Sequence, residues 1–137
     1  MTREILFRGK RMDNGEWTYG YYCPKPYSHF PCEATIFPSE TIDRDWHGER
    51  VDPDTVGQFI GLCDKNGVRI FEGDIIEYTD GCNDWLGAVK YDGDDAQFVV
   101  RFIGGDVESF DNLYSGDCEV IGNVHDNPEL LEVSGDE

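Results

Sequence analysis

Cys23, His29 and Cys32 fall within ten residues of one another in the segment CPKPYSHFPC, and thiolate and imidazole are the ligands that zinc prefers. Structural zinc sites set two ligands two to four residues apart on a tight knuckle and then bring up a second pair. Only His29 and Cys32 have that spacing, and a fourth ligand would have to come from His47 or a distant cysteine. The pattern is an incomplete zinc site. Asp92, Asp94 and Asp95 form a second set, oxygen ligands suited to a hard cation beside Asp80, Asp84 or Asp117. Crowded carboxylates repel unless a cation is present, and Asp-Gly followed by acids is also ordinary chemistry for an exposed hairpin loop. The loop is the expected reading, and no metal is assigned.

Nucleophilic chemistry has little material. Ser28 and His29 are sequence neighbours in a proline-rich loop, which does not build the hydrogen bond a nucleophile needs, and no GxSxG elbow occurs. His125, in NVHDN, reads as a turn residue. A GK[ST] phosphate loop is missing from the sequence, and its Gly-rich stretches are acidic. No catalytic residue and no cofactor are therefore assigned, and the expectation is a protein that is not an enzyme.

The stretch GLCDKNGVRIFEGDIIEY resembles a calcium loop at first reading. Asp64 and Asn66 stand where the first and third ligands of an EF-hand would, but Gly67 arrives at the fourth position rather than the sixth. A hairpin turn fits instead: Asp64 accepts from the backbone, Asn66 is central, and Gly67 takes the left-handed conformation. MDNG at 12–15 repeats that turn chemistry. Gly73 allows a second sharp change of direction before a strand that opens at Asp74, with Ile76 and Tyr78 expected on one face and Ile75 and Glu77 on the other.

These turns divide a chain of strands. EILFR, WTYGYY, TVGQFIGL, VRIF, DIIEY, LGAVKY, AQFVVRF and CEVIGNV are short runs rich in β-branched and aromatic residues, separated by Gly, Asp and Asn, and no long stretch has the helical period. In AQFVVRF the period-two pattern places Phe98, Val100 and Phe102 on one face. Residues 23–40 hold four of the six prolines and are expected to form a loop with at most one edge strand, near Ala34 to Phe37. Ser39 suits a single helical turn, and Asn127 before Pro128 suits the start of a short helix that lays Leu130 and Leu131 over an open end of the fold. The expected fold class is mainly β, a small antiparallel barrel or sandwich by strand spacing, with a β-rich N-terminal subdomain over residues 1–60, a second subdomain over 61–133 and a frayed tail at 134–137.

Hydrophobic residues make up 39% of the chain and aromatics 13%, too apolar for a disordered polypeptide despite the charge. No run of about 18 apolar residues exists, and the segment MTREILFRGKR lacks the apolar region of a signal peptide, so a cytosolic protein with reduced cysteines is expected. The net charge of −18 is uneven: residues 1–71 hold 11 acids and 9 bases, whereas residues 72–137 hold 18 acids and only Lys90 and Arg101. That half has almost no cation with which to displace counterions from a phosphate backbone, which argues against direct nucleic-acid binding. Trp17, Tyr19, Tyr21, Tyr22, Tyr27 and Phe30 suggest a base-stacking platform, but only Arg11 and Lys25 are near in sequence, so packing or a protein contact is the expected use.

Three segments in order, REILFRGK with NGEW, then VDPDTVGQFIGL, DKNG and IFEGDII, and finally EVIGNVHDNPELL, resemble the YopX-like family of phage and prophage proteins. They leave residues 23–50 and 80–117 unmatched. The resemblance implies a product of a bacteriophage or prophage acting in the cytoplasm of its bacterial host, and a β-rich N-terminal subdomain joined to an SH3-like barrel. It implies no catalytic residues. Three functions are weighed: a non-enzymatic module that binds a protein or another copy of itself, an acidic decoy that imitates a phosphate surface for a host nucleic-acid-binding protein, and a metal-dependent hydrolase built on Asp92, Asp94 and Asp95. The first is the expected one.

Overall fold

The structure is a computed structural model of the 137-residue chain and describes residues 5–23, 34–38, 48–79, 81–110 and 115–131. The chain is mainly β, built from two antiparallel sheets with no α-helix among the described residues. It divides into two compact units, Met1–Phe59 and Ile60–Glu137.

In the first unit, β1 (Phe7–Lys10), β2 (Trp17–Cys23), β3 (Thr35–Pro38), β4 (Glu49–Arg50) and the start of β5 (Gly57–Cys63) lie in the order β4-β3-β2-β1-β5. The β1–β2 hairpin closes as its sequence requires. Gly15 takes φ +73°, the Asn14 Oδ1 accepts from Glu16 N–H at 2.9 Å, and Arg11 N–H donates to the Glu16 carbonyl at 2.9 Å. This fixes Lys10 opposite Trp17 and Phe7 opposite Gly20. Alternation along the strands then sorts the side chains into two faces. One carries Phe7, Tyr22 and Ile36 into a core with Ala34, Val51 and Val56. The other carries Arg8, Lys10, Trp17, Tyr19 and Tyr21.

Strand β5 carries the chain into the second unit, where it is followed by β6 (Arg69–Phe71). The strands β7 (Asp74–Thr79), β8 (Asp84–Asp92), β9 (Gln97–Phe102), β10 (Val107–Ser109) and β11 (Cys118–Asn123) form a sheet in the order β10-β9-β8-β7-β11. Ile70, Ile76, Val89, Val100, Phe102 and Cys118 make its core, flanked by Tyr78 and Trp85, whose rings stack at 5.7 Å. Each fully buried Ile or Val contributes about 1.5–3 kcal/mol relative to exposure, which makes this cluster the main support of the unit.

The mainly β expectation holds, and the described strands of the second sheet run from β10 at one end to β11 at the other. Several details differ. Strand β3 is not an edge, because the two-residue β4 pairs outside it, Thr35 with Arg50 and Ile36 with Glu49. Strands β4 and β10 were too short and too polar to show in the sequence. Ile75 is as fully buried as Ile76, and Val99 is buried as well as Val100, so both faces of this sheet are covered near its middle. The short helix expected after Asn127 is present as the 3-10 helix Pro128–Leu131, with Leu130 N–H donating to the Asn127 carbonyl at 3.0 Å. The Asn127 side chain faces back into the preceding turn, accepting from Asn123 N–H at 3.2 Å. The helical turn expected at Ser39 and the tail at 134–137 lie outside the described residues.

Candidate binding face on the N-terminal sheet

The outward face of the first sheet follows from register alone. Trp17 pairs with Lys10, Tyr19 with Arg8, Tyr21 with Phe37, and Cys23 with Thr35, which pairs in turn with Arg50. Residues directly opposite in antiparallel strands point to the same side. This face therefore collects four aromatic rings, from Trp17, Tyr19, Tyr21 and Phe37, and three cations, from Arg8, Lys10 and Arg50. The Arg8 guanidinium lies 4.5 Å from the Trp17 ring centroid and the Lys10 ammonium 5.6 Å from it. Cation–π contacts of this kind contribute about 0.5–2 kcal/mol, more as water is excluded. Arg8 is only 6% exposed, so its charge is held at the indole.

Tyr19 and Tyr21 stand out from this face, 45% and 56% exposed, while Trp17 and Phe37 are half-buried. Gly48 passes close over its far end, where a Cβ would come within 2.8 Å of Phe37 Cε1. No acid occurs in β1, β2 or β3, and Glu49 of β4 belongs by register with Ile36 on the other face, where its carboxylate meets Arg11 at 3.0 Å. Phenol rings with apolar bodies and polar tips, backed by cations, are the surface chemistry of protein recognition. Sequence reading missed Arg8 and Lys10 as neighbours of the aromatics. Counting both strands outward from the Asn14-Gly15 turn would have found them. Arg11, the cation nearest the aromatics in sequence, is bound instead to Asp13 at 2.8 Å and to Glu49 at 3.0 Å.

The other singled-out residues are placed as follows. Asp64 is buried and accepts three backbone N–H groups: Asn66 at 2.8 Å and Val68 at 2.9 Å on Oδ1, and Val120 at 2.9 Å on Oδ2. Burial pushes its carboxyl up, but the donors from Val120, Val68 and Asn66, together with Lys65, outweigh burial and hold it below its ordinary value. Gly67 takes φ +81° to close that turn, and Gly73 takes φ +94° in the next. There the buried Asp74 carboxylate accepts Phe71 N–H at 2.7 Å, which explains the acid after Gly73. Both acids are structural.

Asp92 ends β8, its carboxylate accepting Asp94 N–H at 3.0 Å, and Asp94 and Asp95 are exposed in the hairpin loop. Asp84 is exposed, Asp117 is half-buried, and Asp80 lies outside the described residues. Cys23 is half-buried at the end of β2, while His29, Cys32 and His47 lie outside the described residues, as do Ser28, Lys25, Tyr27 and Phe30. No group of three His, Cys, Asp or Glu able to hold a metal occurs among the described residues. His125 sits in the turn after β11, its N–H donating to the Asn123 side chain at 2.9 Å. No described helix is long and apolar enough to cross a membrane.

The class these features define is a mainly β chain in which Asp64 and Asp74 close turns and Tyr19 and Tyr21 stand exposed on one sheet face. The chain belongs to the YopX protein family, whose sequence profile matches residues 6–132. That span takes in residues 23–50 and 80–117, which the three sequence motifs leave out. The chain is also similar to the crystal structure of protein EF1440 from Enterococcus faecalis, with 26% identity and a TM-score of 0.58, over 96% of this chain and 100% of that one. No curated protein matches the sequence.

Proposed function

We propose that this is a non-enzymatic accessory protein of a bacteriophage or prophage, acting in the host cytoplasm by binding another protein through the outward face of β1 and β2. The observation that carries this reading is the pair Tyr19 and Tyr21, both exposed and adjacent on one strand face that carries cations and no acid. Exposed tyrosines of this kind are favoured anchors because they bury a large rigid area at small entropic cost. The YopX resemblance supports the phage setting. The test is affinity capture from lysogenic or infected cells with wild-type and Tyr19→Ala/Tyr21→Ala baits. A partner held by the wild type and lost by the double variant supports the reading, and equal recovery by both baits refutes it.

The acidic decoy stays as a second reading, because residues 72–137 carry 18 acids against two bases. It requires binding to a basic nucleic-acid-binding protein that collapses between low and moderate salt as charges become screened. Binding insensitive to salt removes it.

A further inference from the structure

We propose that Asn14 is a self-modification site, at which the chain converts its own asparagine to aspartyl and isoaspartyl forms, and that Asn66 is protected from the same reaction. The two residues share a sequence signal. Each is followed by glycine, in MDNG and DKNG, and each is exposed. Glycine carries no side chain to hinder its own backbone nitrogen, so both pairs can cyclise. What separates them is where their hydrogen bonds fall.

At Asn14 the side-chain carbonyl is held. Its Oδ1 accepts Glu16 N–H at 2.9 Å. That donor draws electrons from Cγ and is already placed to stabilise the charge that grows on Oδ1 when a nucleophile adds. The nucleophile is the Gly15 nitrogen, whose N–H donates to the Arg11 carbonyl at 3.0 Å, a bond inside the hairpin loop. Releasing it opens the loop locally. At Asn66 the bonds fall on the backbone instead. The N–H groups of Asn66 and Val68 donate to Oδ1 of the buried Asp64 at 2.8 and 2.9 Å, Gly67 N–H to the Asp64 carbonyl at 3.0 Å, and Lys65 N–H to the Cys118 carbonyl at 3.0 Å. Asp64 is itself fixed to Val120 N–H at 2.9 Å. Turning the Gly67 nitrogen onto Asn66 Cγ must break into this network and strip donors from a buried carboxylate.

The reaction needs only water. The Gly15 nitrogen gives its proton to hydroxide and bonds to Asn14 Cγ, the Cγ–Nδ2 bond breaks, and ammonia leaves with a proton from water. Water then opens the five-membered imide at either carbonyl, giving aspartate or, with the main chain rerouted through Cβ and Cγ, isoaspartate. Nothing is oxidised or reduced. The isoaspartyl form lengthens by one carbon the loop that sets Lys10 opposite Trp17.

The test incubates the full chain for weeks at about pH 8, folded and in urea, and maps its peptides by mass, each converted asparagine gaining about 1 Da. In the folded protein Asn14 should convert about tenfold or more faster than Asn66, and in urea the two rates should come within about threefold of each other. Ammonia release from folded Asn14→Asp should lack the fast phase of the wild type. Equal rates in the folded chain, faster conversion at Asn66, no conversion at Asn14, or the same preference persisting in urea would each overturn the proposal.

Discussion

The Asp64 carboxylate accepts the Val120 backbone N–H at 2.9 Å, joining a tight turn to a strand 56 residues further along the chain. Next to it, Lys65 N–H donates to the Cys118 carbonyl at 3.0 Å. The turn thus takes the place of a neighbouring strand along the outer side of β11, an edge of the second sheet. Unpaired edge groups invite pairing with another chain, and here two of them are already occupied. Self-association by strand pairing along this part of β11 is therefore disfavoured.

Replacing Asp64 tests how much that junction holds. Asp64→Ala strips the acceptor from three backbone donors at once and is expected to destabilise the fold by on the order of 3 kcal/mol. Asp64→Asn keeps one acceptor oxygen and should cost about 1–2 kcal/mol. Urea unfolding measures both, and a loss within a few tenths of a kcal/mol for Asp64→Ala contradicts the assignment.

Acid should reveal the same group. The folded-state pKa of Asp64 is depressed, so its contribution is complete above the ordinary value of 3.8 and is lost as pH falls through the lower folded value. The stability difference between wild type and Asp64→Asn should be constant above about pH 5 and shrink below it. A difference that grows on acidification has the wrong sign for this account.

Two backbone positions give opposite expectations. Ala96, in the β8–β9 loop, has φ +55°, the left-handed region that disfavours side chains, so Ala96→Gly should stabilise by about 0.5–1 kcal/mol. At Gly87 a Cβ would lie 2.7 Å from the Arg101 carbonyl oxygen and 2.8 Å from Val100 Cγ1, so Gly87→Ala should destabilise by about 1–3 kcal/mol. Thermal melts of both variants check the pair.

Cysteine reactivity should divide by burial. Burial first, then Asp117 and Asp64, push the Cys118 thiol up to about 11, while Cys63 and Cys82 are exposed. Alkylation at pH 8 followed by peptide mapping should label Cys63 and Cys82 in the native protein and Cys118 only after unfolding, since the thiolate is the reactive form. Early labelling of Cys118 would show that its core opens readily.

The turns were the most legible part of the sequence. Asn14-Gly15 and Asn66-Gly67 close hairpins through local backbone chemistry, which a short window contains in full. Period-two patterning located the core strands. It placed Ile75 and Val99 on the opposite face but gave no sign that they are buried too, because a sheet covered on both faces loses its alternation. Strands as short as Glu49–Arg50 and Val107–Ser109 carry too few side chains for a pattern and are defined only by their partners. The binding face was half legible: its tyrosines stand out in WTYGYY, but Arg8 and Lys10 join them only through pairing across the hairpin, a relation between positions rather than a run of residues.

A photo-crosslinking amino acid placed at Tyr21, and separately at Tyr91, tests the central claim most directly. Tyr91 is 50% exposed, close to Tyr21 at 56%, but it lies on β8 of the second sheet. Irradiation in lysogenic or infected cells should yield a discrete protein adduct from position 21 and none from position 91. Adducts from position 91 alone, or the same adducts from both, would contradict the assignment of function to the tyrosine face of β2.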